Sequence, residues 1–81
     1  KKPVMLWIHG GALRWGYSHY YVYDGKSLAT NQDVIVVTFN YRLNLFGFFA
    51  ANYLNYTRDG QQISGNWGFL DQQLLLKWVH E

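Results

Sequence analysis

The sequence predicts an α/β fold, and three features carry that prediction. Val4-Met5-Leu6-Trp7-Ile8-His9 is a short apolar run bounded by Pro3 and by Gly10-Gly11, a length and flanking that favour a buried strand over a helix. Val34-Ile35-Val36-Val37-Thr38, within Asp33–Tyr41, is an unbroken β-branched run of the kind found where both faces of a strand are covered, as in a parallel sheet. Leu74, Leu75, Trp78 and Val79 recur at helical spacing within Asp71–Glu81. Strands alternating with helices are the α/β signature.

Each element follows in order. After the first strand, a long loop runs to Asp24–Asn31, where Asp24-Gly25-Lys26-Ser27-Leu28-Ala29-Thr30 suffices for a short helix beginning near Asp24. The second strand follows, so the first half reads as a βαβ unit, for which a right-handed crossover is expected. Arg42–Asn66 is polar and turn-rich, with Gly47, Gly60 and Gly65, and is expected to be loop. The last helix takes Asn66 or Ser64 as its N-cap, with Gln72, Gln73, Lys77 and Glu81 turned away from the apolar face. The chain opens at Lys1, and Glu81 stands inside a helical pattern with no stop signal; the expectation is a piece of a longer protein, with residues 1–81 as part of a single domain.

Composition narrows the function. With 81 residues, 49% hydrophobic and only 15% charged, the chain is too apolar for a disordered segment and too short for several domains. A net charge of +2 gives no strong pull toward nucleic acid or anionic membranes. There is no cysteine, hence no disulfide framework and no thiolate metal site. The apolar runs near Val34–Phe39 and Leu45–Ala51 fall far short of a bilayer span, and Val4–Ile8 is too short and wrongly flanked for a signal peptide.

His9-Gly10-Gly11-Ala12 directly follows the first strand. Small residues there let the backbone turn sharply and aim N–H groups into a cavity. Ester cleavage needs such donors, because negative charge grows on the carbonyl oxygen as a nucleophile attacks it. A plain tight turn accounts for His-Gly-Gly equally well. The loop matches neither G-x-G-x-x-G nor G-x-x-x-x-G-K-[ST], so phosphate binding has little support.

Several segments together resemble the type-B carboxylesterase family of carboxylesterases and cholinesterases: Trp7-Ile8-His9-Gly10-Gly11, Tyr23-Asp24-Gly25 with Leu28-Ala29, Val34 to Thr38 with Asn40-Tyr41-Arg42-Leu43, Gly47-Phe48, Gly65 to Gln72, and Trp78-Val79. The resemblance covers almost the whole chain. It implies a partial α/β-hydrolase fold, a small-molecule carboxylic ester as substrate, and no cofactor or metal. It implies that the backbone N–H groups of Gly11 and Ala12 form the oxyanion hole, with Gly10 shaping the loop and His9 supporting it. The family usually has Gly where Ala12 stands, and commonly Gly where Asn44 stands. It places the Gly-Glu-Ser-Ala-Gly nucleophile segment, the acid and the triad histidine beyond this chain, so the segment by itself carries no triad and is expected to be inactive. It implies an ion pair between Arg42 and Asp71, and a secreted or endoplasmic-reticulum setting for the parent. Nothing in the sequence sets the oligomeric state.

Other residues have weaker claims. His9 is poorly suited as a general base, since no serine is placed to meet it. Trp15, Tyr17, Tyr20, Tyr21 and Tyr23 crowd one loop, where they either pack it down, line an acyl or alcohol pocket, or offer a stacking surface. Asn55-Tyr56-Thr57 is an N-glycosylation triplet, meaningful only in a secreted protein. Two other functions fit in outline. Some relatives keep the fold without the catalytic serine and act in cell adhesion; an aromatic-rich glycan-binding module would instead need a mostly antiparallel sheet.

Overall fold

The computed structural model describes all of residues 1–81. The chain divides into two compact units: residues 1–11 with 16–40, and residues 12–15 with 41–81.

The first unit is a βαβ element. Strand β1 (Val4–Trp7) pairs in parallel with β2 (Ile35–Thr38), with Val4 opposite Ile35 and Trp7 opposite Thr38. Both strands are shorter than the apolar runs that encode them. Ile8 and His9 lie outside the ladder because β2 has ended at the level of Trp7, and Asp33 ends the preceding helix in the left-handed conformation (φ 52°), leaving Val34 as the connection. Helix α1 (Lys26–Gln32) makes the crossover. It starts two residues after Asp24, whose carboxylate Oδ1 accepts the Lys26 N–H at 3.0 Å. Gly25 lets the helix begin close against β2: a Cβ there would stand 2.5 Å from Val36 Cγ1.

The second unit departs from the expected loop at 42–66. Helix α2 (Asn44–Phe48) is followed by a single 3-10 turn (Asn52–Leu54), and then β3 (Tyr56–Arg58) and β4 (Gln61–Ile63) form an antiparallel hairpin. Its turn is Asp59-Gly60, both at positive φ (51° and 78°), as a type I′ hairpin requires. Helix α3 (Trp67–His80) begins earlier than its apolar periodicity. Asn66 is its N-cap, but through a left-handed backbone (φ 55°) and not through a side-chain hydrogen bond. Gly68, Asp71, Gln72, Leu75 and Val79 turn inward, whereas Leu74 and Trp78 are 65% and 66% exposed. The covered face is therefore rotated from the expected one and includes Gln72. Around its first turns, Trp67 Nε1 donates to the Phe49 carbonyl (2.9 Å), Phe48 meets Phe69 edge-on at 5.2 Å, and Arg58 donates to Gln73 Oε1 (2.8 Å).

Little is fully enclosed. Tyr41 is the one buried large apolar residue, and Val4, Met5, Trp7, Ile35, Phe46 and Phe69 are all exposed. No helix is long and apolar enough to cross a membrane.

Candidate active site

The loop that leaves β1 begins with His9, which is buried; its ring Nδ1 lies 2.8 Å from the Gly10 carbonyl, with the ring N–H as donor. Gly16 closes on the same ring. With φ at 114°, a Cβ on Gly16 would stand 2.5 Å from Gly10 O and 2.6 Å from His9 Nδ1. His9 thus braces the loop from within. Gly10, by contrast, has open space where a Cβ would stand and no positive φ. The conformational demand falls on its neighbours.

Gly11 has φ 133°, and Ala12 and Leu13 follow at 55° and 63°. For residues with a Cβ this left-handed region costs roughly 1–2 kcal/mol each, so two in succession are kept only where the surroundings over-determine them. Neither the Gly11 nor the Ala12 N–H donates to a backbone carbonyl of this chain. The turn at 12–15 is tied down by the Asn44 N–H, which donates to the Leu13 carbonyl at 2.8 Å. Asn44 is itself left-handed (φ 57°), and its Oδ1 accepts the Leu45 N–H at 3.0 Å. Asn44 thus adopts a backbone that glycine would allow and that asparagine tolerates better than most residues.

Arg42 and Asp71 are joined by three hydrogen bonds. Nη2 reaches Oδ1 at 2.8 Å, Nε reaches Oδ2 at 2.9 Å, and the Arg42 backbone N–H also donates to Oδ2 at 2.8 Å. The guanidinium hydrogen bonds hold the Asp71 carboxyl below the usual carboxylate range and raise the Arg42 guanidinium above its ordinary value. The Arg42 side chain is 53% exposed and that of Asp71 25%, so the pair lies at the edge of its unit. The Arg42 carbonyl is enclosed by Gly47 of α2 and Gly68 of α3, where a Cβ on either would collide with it.

The tyrosines assort around Tyr20, whose ring lies 5.8 Å from Tyr17, 5.2 Å from Tyr21 and 5.7 Å from Tyr23; Tyr23 also meets Trp7 at 5.3 Å. Tyr20, Tyr21 and Tyr23, with Asp24, Lys26 and Thr38, line a crevice of about 560 Å³. Gly10, Gly11, Ala12, Trp15 and Tyr17 are not part of its wall. Asn55 is half-buried at the entry to β3, with its Oδ1 enclosed.

A parallel strand pair joined by a crossover helix is the unit from which α/β folds, the α/β-hydrolase fold among them, are built. The comparisons place it more narrowly. The Carboxylesterase family model matches residues 1–81. The chain is 47% identical over 79 residues to pyrethroid hydrolase Ces2e of Rattus norvegicus, covering 98% of this chain and 12% of that protein. It is 49% identical over 79 residues to para-nitrobenzyl esterase of Bacillus subtilis (strain 168), covering 98% of this chain and 15% of that protein. Among solved structures, the carboxylesterase EST55 of Geobacillus stearothermophilus superposes with a TM-score of 0.81 at 46% identity, over 98% of this chain and 17% of that one. The chain belongs to the carboxylesterase family. It spans only 12–15% of the length of these two curated relatives.

Proposed function

We propose that residues 1–81 are the oxyanion-binding segment of a longer serine carboxylic ester hydrolase, forming part of its single catalytic domain. In this reading the Gly11 and Ala12 N–H groups receive the carbonyl oxygen of the ester as it becomes an oxyanion, together with the N–H that follows the nucleophile. The serine, its acid and its histidine come from outside this chain, so these residues stabilise charge and do not attack the ester. Gly10 contributes to the loop, and the Arg42–Asp71 pair acts structurally by tying the segment before α2 to α3. The observation that carries the reading is the left-handed Gly11-Ala12-Leu13 turn, whose first two N–H groups donate to no backbone carbonyl of this chain. Donors fixed beforehand need no reorganisation when charge appears, and a strained backbone held by its surroundings is one way to fix them.

The test is a trifluoromethyl ketone adduct of the full-length protein. The adduct oxygen is expected within roughly 2.7–3.1 Å of both N atoms. An adduct oxygen held by other donors would remove Gly11 and Ala12 from the site. Full-length protein that neither hydrolyses 4-nitrophenyl esters nor reacts with a fluorophosphonate would redirect the assignment to a catalytically silent adhesion relative. Asn55 is the glycan acceptor if the parent is secreted; its enclosed Oδ1 leaves the sugar to emerge from the Nδ2 side. A glycosidase-sensitive mass that is the same in wild type and Asn55→Gln would exclude that site.

A further inference from the structure

We propose that Asn44 is a positioning residue for the oxyanion turn, acting through its backbone N–H on the Leu13 carbonyl; this rests on the reading of Ala12 as an oxyanion donor. Leu13 and Ala12 are consecutive left-handed residues that both carry a Cβ, so their own preferences work against the turn. The Leu13 carbonyl lies two peptide planes beyond the Ala12 N–H. Holding that carbonyl at 2.8 Å from Asn44 N therefore sets the direction in which the Ala12 N–H points.

The holder is itself rigidly placed. Two residues before Asn44, the Arg42 N–H, Nε and Nη2 all end on Asp71, and the Arg42 carbonyl is boxed in by Gly47 and Gly68. The Asn44 side chain locks its own backbone through the Leu45 N–H to Oδ1 hydrogen bond, at 3.0 Å. Asp71, Arg42, Asn44 and Leu13 thus form one connected path from α3 to the turn at 12–15. Ala12 lacks the freedom that glycine would have, and the fixed anchor makes its conformation stable. The role belongs to the N–H and the positive φ, so glycine can replace Asn44 and a β-branched residue cannot.

The experiment compares Asn44→Gly and Asn44→Val in the full-length protein, measuring kcat, KM, the affinity for a trifluoromethyl ketone, and Tm. Asn44→Gly is expected to keep kcat within about threefold, whereas Asn44→Val lowers kcat roughly tenfold to a hundredfold with KM nearly unchanged, as a misaimed catalytic group does. Ketone affinity should fall by the same factor as kcat, because it reads the oxyanion interaction. Unchanged kcat and ketone affinity in Asn44→Val, with only Tm lowered, would overturn the proposal, as would equal losses in Asn44→Gly and Asn44→Val. Should the valine variant fail to fold, Asn44→Ala takes its place with a smaller loss expected; kcat and ketone affinity matching those of Asn44→Gly would then overturn it. A wild-type protein with no ester hydrolysis and no fluorophosphonate labelling defeats the underlying function, a result the variants play no part in.

Discussion

Replacing Gly68 by alanine sets helix propensity against packing, and the structure decides the sign. Gly68 lies in the first turn of α3 and is buried. By propensity alone the change should stabilise the helix by about 1 kcal/mol. The new Cβ, however, would overlap the Arg42 carbonyl oxygen and stand 2.7 Å from Phe48 Cζ and 2.9 Å from Phe48 Cε2. The Phe48 ring is backed by Phe69, and the Arg42 backbone is held by Asp71, so neither neighbour withdraws without breaking another contact. Overpacking of this kind costs typically 1–3 kcal/mol, and a clash with backbone falls at the upper end. The net expectation is a loss of about 2 kcal/mol, the overpacking cost less the propensity gain. Urea unfolding of the full-length protein measures it, with Gly68→Ala, Asp71→Asn and the double variant side by side. Because α3 must move away from Arg42 to admit the methyl, the two changes should be non-additive by about 0.5 kcal/mol or more. Equal or greater stability of Gly68→Ala would refute the reasoning, since it would mean that α3 is not held against the Arg42 carbonyl.

Further outcomes follow from other contacts. Asp71→Asn is expected to cost about 1–2 kcal/mol near neutral pH, a modest figure because the Arg42 side chain is half exposed. The Asp71 carboxyl is depressed in the folded state, chiefly by the Arg42 side-chain hydrogen bonds, so its stabilisation is present above the unfolded carboxylate pKa and lost as pH falls through the folded one. The stability gap between wild type and Asp71→Asn should therefore be flat above about pH 5 and narrow in acid, and a gap that widens in acid would contradict the sign. Gly16→Ala, which forces a Cβ against His9 Nδ1 and Gly10 O, should destabilise the full-length protein by at least about 1–3 kcal/mol in urea unfolding; unchanged stability would show that the loop is not braced there. The purified 81-residue chain, with Trp7, Phe46 and Trp78 exposed and both edges of its two-stranded parallel sheet unpaired, should bind a hydrophobic dye and aggregate, and cooperative two-state unfolding would argue against this.

Several elements were legible in the chain because local chemistry alone specifies them. The β-branched run at 34–38 favours a strand, the apolar run at 4–9 before Gly10-Gly11 favours another, and the apolar residues from Leu74 to Val79 recur at helical spacing. The hairpin was missed: Asp59-Gly60 is a type I′ turn signal, but the strands on either side are short and polar, so the tract reads as loop. The ordered motifs were enough for the family resemblance. Helix α2 and the rotation of the covered face of α3 were not readable, because each depends on what packs beside it: Gly68 and Asp71 face inward since Arg42 lies there, and Leu74 faces outward although it is apolar.

The backbone of the candidate site belongs wholly to the tertiary level. Nothing in the identity of Ala12 or Leu13 calls for positive φ, and Asn44 tolerates it better than most residues without requiring it. Their left-handed conformations accompany a hydrogen bond from Asn44 to Leu13, residues far apart in the chain. Side-chain chemistry travels with the sequence, whereas the direction of a backbone N–H is set by contacts that exist only after the chain has folded.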